Sequence, residues 1–239
     1  MRILNGKFVE FGAWDGEYLS NAKSLVENGW TGVFIEGDPE KFRVLKENYQ
    51  SKEIIKINEY VGYVCSVNGN RRGENLRDIL SKYVNEDYIE NIDYVGIDVD
   101  GPDLEIAFTL GFRPKVMTIK GGSSFSPGIN RKFDKYASNF QHPLSYIVDK
   151  LNDIDYTVVC FHQDVYALRN DLLNSEFADF ACKTPYEFFE DSFLFLDQKD
   201  RIHQLFRRAL QPELQLFENM VLGNFHIHPL ISTRGYNAK

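Results

Sequence analysis

The chain has 239 residues, 43% hydrophobic and 14% aromatic, enough to bury one sizeable core within one large domain. Its net charge of −8 makes it a poor electrostatic match for a phosphate backbone, which points away from nucleic acid as a main partner. Three widely spaced cysteines without a CxxC fit a reducing, cytoplasmic setting. No apolar run spans a bilayer, and the polar start MRILNGKF does not read as a signal peptide, so neither a membrane nor secretion by that route is expected.

Elements follow in order. Lys7 to Phe11 reads as a short buried strand, and LSNAKSLVENG as a helix with Leu19, Ala22, Leu25 and Val26 on one face and Gly29 as its stop. GVFIEGDP is a second strand ending in an acid; Asp38 then caps a helix whose first turn holds Pro39. EIIKINEYVGYV is a third strand, GNRRGEN a solvated loop and ENLRDILSKYV a helix. IDYVGIDVDG is the strongest strand, followed by the helix PDLEIAFTLGF, the strand KVMTI and the helix PLSYIVDKLNDI. YTVVCFH and VYALRN close the pattern as an antiparallel pair.

This alternation predicts an α/β fold: a doubly wound, mostly parallel seven-stranded sheet, helices on both faces, last strand antiparallel. Residues 1–172 form the core. The segment 173–239 is an extension rich in Phe, Leu, Glu and Asp, read as packing on the core, as a lid, or as a contact between copies of the chain.

Ligands in such sheets sit at the carboxyl ends of the strands, near the switch in strand order. The first strand ends in Glu10-Phe11-Gly12, and Gly16 follows, giving E-x-G-x-x-x-G. Glycines allow a tight turn and close approach, and a following helix would offer free N–H groups to a carboxylate or phosphate. Glu36 ends the second strand, where an acid can accept hydrogen bonds from both hydroxyls of a ribose. Two glycines alone are an ordinary turn; an acid at each strand end shifts the reading to a nucleoside site. The spacing departs from the G-x-G-x-x-G of a dinucleotide grip.

FVEFGAWDG, VFIEGDP and IDYVGIDVDGPDLEIA, in this order, resemble class I S-adenosylmethionine-dependent methyltransferases, and among them the FkbM-type branch. The resemblance covers roughly Lys7 to Leu172. It implies a Rossmann-like transferase using S-adenosylmethionine to methylate a hydroxyl of a sugar or another small polar acceptor. By the same resemblance Glu10, Gly12, Ala13 and Gly16 cradle the methionine part, Glu36 holds the ribose, and Gly37, Tyr60 and Val61 flank the adenine. The helices that often precede the first strand in such enzymes have little room before residue 8. The tail after Asp171, or a neighbouring copy in a homo-oligomer, is expected to cover the cofactor instead.

Methyl transfer requires aligned reactants and often a base. Asp98 and Asp100 fall on one side of an extended strand end; together they offer a base with a raised pKa, or ligands for Mg²⁺. Alternatively, one of them caps the helix that Pro102 opens. The next strand end, where relatives usually carry an acid, holds Lys120, which repels a divalent cation and leaves no metal ligand assigned. Lys120 can replace that charge, pair with Asp98 or Asp100, or bind an anionic substrate. GGSSFSPGINRKF reads as an active-site loop in which Asn130 and the serines suit a hydroxyl-rich acceptor, or as plain connection. His142 is a second candidate base, His162 and Asp164 lie in the closing hairpin, and His226 and His228 lack a third ligand. Two rival functions stand beside methyl transfer: a nucleoside-binding protein with impaired catalysis, and an NAD-dependent oxidoreductase.

Overall fold

In β1 (Lys7–Phe11), Phe8 enters one apolar cluster, while Val9 and Phe11 enter another. β2 (Thr31–Ile35) repeats this, with Phe34 on the first side and Val33 and Ile35 on the second. Strands that bury both faces must be covered on both, and these are. The computed structural model describes residues 5–62, 64–65, 71–121, 142–174 and 183–188. Helices α1 (Lys23–Glu27) and α2 (Pro39–Asn48) pack on the Phe8 side through Ala22, Leu25 and Leu45. Helices α3 (Leu76–Ser81), α4 (Glu86–Glu90), α5 (Asp103–Ala107) and α6 (Leu144–Asn152) pack on the other through Leu76, Ile89, Leu104 and Ile147.

The remaining strands are β3 (Ile54–Ile57), β4 (Tyr94–Ile97), β5 (Val116–Lys120), β6 (Tyr156–His162) and β7 (Asp164–Arg169). The sheet runs β3-β2-β1-β4-β5-β7-β6. β1 to β5 pair in parallel, and β7 pairs antiparallel with both β5 and β6. This is the expected seven-stranded, doubly wound sheet, with only the last strand reversed. The order switches direction between β1 and β4. Register places Phe11 beside both Ile35 and Ile97, and Lys120 beside Asp164. Glu10, Glu36, Asp98, Lys120 and Asp164 therefore share one end of the sheet.

Several expectations need correction. The helix read over LSNAKSLVENG begins only at Lys23, and Leu19 is 77% exposed with φ of 56°. Its backbone belongs to the loop after β1, for the reason given below. β3 stops at Ile57, and GNRRGEN is not wholly loop, because Arg71–Arg72 pairs antiparallel with Val64–Cys65. α4, capped by Asn85 and carrying buried Ile89, was not anticipated; at five residues it is too short for periodicity to show.

The 3₁₀ turn Asn170–Leu172 follows the last strand near the expected core boundary. Most of 173–239 lies outside the described residues, as do His226, His228, Asn130 and nearly all of GGSSFSPGINRKF. Of the extension, Phe188 is buried in the core cluster around β4 and β5. Among the described residues no helix is long and apolar enough to cross a membrane.

Candidate functional site

The shared strand end opens into a cleft of about 390 Å³. Its floor holds Glu10, Ala13, Glu36 and Val61, all buried; Gly12, Gly37, Tyr60, Asp98, Asp100 and Lys120 also line it. Of the residues the sequence assigned to cofactor or catalysis, all but two line it. Two of them stand apart. Gly16 carries φ of 74° and packs against Leu45 and Tyr49, whose hydroxyl donates to the Gly16 carbonyl at 2.8 Å; it shapes the loop from behind. His142 is buried against Tyr146 with Nε2 3.1 Å from Glu105 Oε1, and it does not line the cleft.

The loop after β1 is held by carboxylates. Glu36 Oε2 accepts the Trp14 N–H at 2.7 Å, and its Oε1 accepts the Asp38 N–H at 2.7 Å. Glu10 accepts the Ser20 hydroxyl at 2.6 Å and the N–H groups of Asn21 and Ala22 at 2.9 and 3.2 Å. These bonds explain the short α1. N–H groups expected to await a ligand at a helix start are instead satisfied by Glu10, and α1 begins only beyond them. Desolvation pushes the Glu10 carboxyl up to about 7 although its three hydrogen bonds pull it down; nearby Asp98 adds to the rise.

Gly12 adopts φ of 72°, and a Cβ there would run into the Asp98 carbonyl oxygen, so the β1 and β4 ends touch only because residue 12 has no side chain. Gly37 similarly leaves room for the Tyr60 ring. Trp14 and Leu19 hold φ of 50° and 56°, conformations that cost a side-chain-bearing residue roughly 1–2 kcal/mol each.

On the other side of the switch point, β4 ends at Ile97 and Asp100 turns left-handed with φ of 54°, so the pair does not sit on an extended strand. Lys120 nevertheless unites them: its Nζ lies 2.8 Å from Asp98 Oδ1 and 2.7 Å from Asp100 Oδ1. Partial burial of Lys120 favours its neutral form, but the paired carboxylates outweigh this and raise its pKa, so it stays charged. Neither aspartate caps α5. Asp103, the first residue of α5, instead ties down the loop before the helix, accepting from the Val99 N–H at 2.7 Å and the Gly101 N–H at 3.1 Å, and burial pushes its carboxyl up to about 8. Asp103 is a positioning residue the sequence reading missed; its place at the first turn of the helix was the available sign.

Asp164 joins from β7. Asn21 Nδ2 donates to it at 3.2 Å, and Tyr166 donates to Asn21 Oδ1 at 3.2 Å. Burial raises the Asp164 pKa. Trp14, Tyr18, Leu19, Lys41 and Glu59 also line the cleft and were not anticipated. Trp14 lies inside the quoted GAWDG, where a large aromatic beside glycines was the visible clue.

No family model and no curated protein matches the sequence. Some solved structures are similar to it at low identity. The Methylobacillus flagellatus methyltransferase FkbM is 15% identical with a TM-score of 0.45, over 70% of this chain and 44% of that one. M. capricolum TrmK, solved with S-adenosyl-homocysteine, is 11% identical with a TM-score of 0.42, over 92% and 87%. E. coli YjhP is 18% identical with a TM-score of 0.41, over 66% and 61%. The chain thus spans less than two thirds of the length of both YjhP and FkbM.

Proposed function

We propose that this chain is an S-adenosylmethionine-dependent methyltransferase acting on a hydroxyl of a small polar acceptor such as a sugar. One observation carries the reading: a buried acid at the end of β2, Glu36, opens on a cleft at the switch point beside the glycine-lined end of β1. Each Glu36 oxygen accepts one backbone N–H and retains acceptor capacity for one ribose hydroxyl. Tyr60, against Gly37, supplies a flat wall for adenine. Glu10 keeps the loop in shape under the methionine part. When bound, S-adenosylmethionine supplies a methyl group on a positively charged sulfur.

The chain's own part is to align the acceptor and take its proton. Lys120 stays charged and cannot accept one; His142 does not line the cleft. Asp100, whose side chain is 83% exposed, is assigned as the base, with Asp98 and Lys120 holding it in place. The donor set does not suit Mg²⁺: an ammonium stands where a divalent cation would need the oxygens of Asp98 and Asp100. No step is assigned to a metal.

The same ion pairs favour a second reading, a nucleoside-binding protein without turnover, because both carboxylates are engaged by Lys120. Calorimetric titration with S-adenosylmethionine and S-adenosylhomocysteine, followed by a turnover assay on a panel of hydroxylated acceptors, separates the two. Binding with turnover supports the transferase, and binding without turnover on any acceptor supports the second reading. No binding of either nucleoside refutes both.

A further inference from the structure

The cleft floor is buried and polar, but its mouth is apolar and exposed. Trp14 is 47% exposed, Tyr18 62% and Leu19 77%, and all three line the cleft from one loop. Both Trp14 and Leu19 hold a left-handed backbone, which costs free energy, and neither recovers that cost by burial. The loop is nevertheless tightly fixed: Glu36 takes the Trp14 N–H, and Asp15 Oδ1 accepts the N–H groups of Glu17 and Tyr18 at 2.9 and 2.8 Å. Asn48 at the end of α2 and Tyr49 just past it hold the carbonyls of Asp15 and Gly16. Tyr18 meets the indole edge-on at 5.8 Å, and Lys41 Nζ lies 4.2 Å from its ring centre. An apolar rim held rigid against its own strain is preorganised for something outside the loop.

We infer that the Trp14–Tyr18 rim is the acceptor-binding face and takes a hydroxylated ring, neutral or amino-bearing, against the indole. The inference rests on the methyltransferase reading, because an acceptor must reach the transferred methyl group through the open mouth of the cleft. Beyond the part of the indole that Lys41 covers, the exposed rim offers apolar surface to the carbon-bound hydrogens of a ring. Asp98 and Asp100, lining the same cleft, offer acceptors to its hydroxyls. Charge sets the class further. Leaving aside the buried Glu10, four carboxylates line the cleft (Glu36, Glu59, Asp98 and Asp100) against two ammonium groups, Lys41 and Lys120, a balance that disfavours an anionic ring.

The chain has two tryptophans, Trp14 and Trp30, so Trp30→Phe leaves Trp14 as the single fluorescent reporter. That protein is saturated with S-adenosylhomocysteine, with binding confirmed by calorimetry, then titrated with methyl glucoside, methyl glucosaminide and methyl glucuronide. The expected result is a saturable change in Trp14 emission with the neutral and amino sugars and weaker binding of the glucuronide. Trp14→Ala, followed by calorimetry, should weaken sugar binding about tenfold, and Trp14→Phe should retain most of it. Lys41→Gln should widen the gap between amino and anionic sugars. The inference is overturned if S-adenosylhomocysteine binds but no sugar moves Trp14 emission, or only the glucuronide does; the rim then serves another part of the chain or a protein partner. If S-adenosylhomocysteine does not bind, the methyltransferase reading fails and this inference falls with it.

Discussion

Replacing Glu10 with Gln should change how stability depends on pH. Burial keeps the native Glu10 carboxyl protonated up to about pH 7, whereas in the unfolded chain it ionises near 4.5. Between those values the native state binds more protons than the unfolded state, so Glu10 makes stability fall as pH rises through this window. Above about pH 7 both states are ionised and its contribution is flat. From about pH 6 to about pH 8.5 the linkage integral gives a loss of about 1.4 kcal/mol. Glutamine does not titrate, so this component vanishes in the variant. It does lose one hydrogen bond of the Glu10 set, since its amide donates where the carboxylate accepts, a cost of about 1–2 kcal/mol that is the same at every pH. Asp103, with a carboxyl at about 8, titrates in the same range in both proteins and cancels from the difference. Urea unfolding of both proteins across this range, kept above the pI of 5.2, tests the reasoning. The stability gap should move in favour of the variant by about 1.4 kcal/mol on going to high pH. A gap that stays constant within about 0.5 kcal/mol would refute the claim that burial holds a proton on Glu10.

Other perturbations bear on the rest of the site. Gly12→Ala combines a left-handed backbone with a Cβ directed at the Asp98 carbonyl; it should destabilise by about 2–4 kcal/mol in urea unfolding, and a loss under about 1 kcal/mol would mean the β1–β4 junction is looser than described. Glu36→Gln keeps one strong acceptor and loses the charge, and should weaken S-adenosylmethionine binding about tenfold by calorimetry; unchanged affinity removes the ribose role. Lys120→Ala leaves Asp98 and Asp100 without their shared cation, and Mg²⁺ titration should then show binding absent from the parent protein; if both behave alike, Lys120 is not what keeps a metal from this pair.

The fold was legible because each strand of the seven-stranded sheet announces itself. A run such as YVGI must be buried on both faces, and the alternation with helices leaves a parallel doubly wound sheet as the economical solution. The acids at strand ends and the glycines between them were equally local signals, and all reach the same cleft except Gly16, which supports the loop from behind. Asp38 and Pro39 start α2 as read, because capping depends only on neighbouring backbone. What only the tertiary structure decided was who binds whom across the chain. Helical spacing placed Leu19 on α1, but Glu10 and Ser20 claim the backbone there and turn Leu19 outward. Lys120 lies twenty-two residues from Asp98, yet parallel pairing of β4 and β5 brings their charges to 2.8 Å. His142 stood open as a base until the fold set it against Glu105 on α5. Periodicity and capping are written in short windows of sequence. Hydrogen bonds and ion pairs between distant residues depend on register and strand order, which exist only once the sheet has formed.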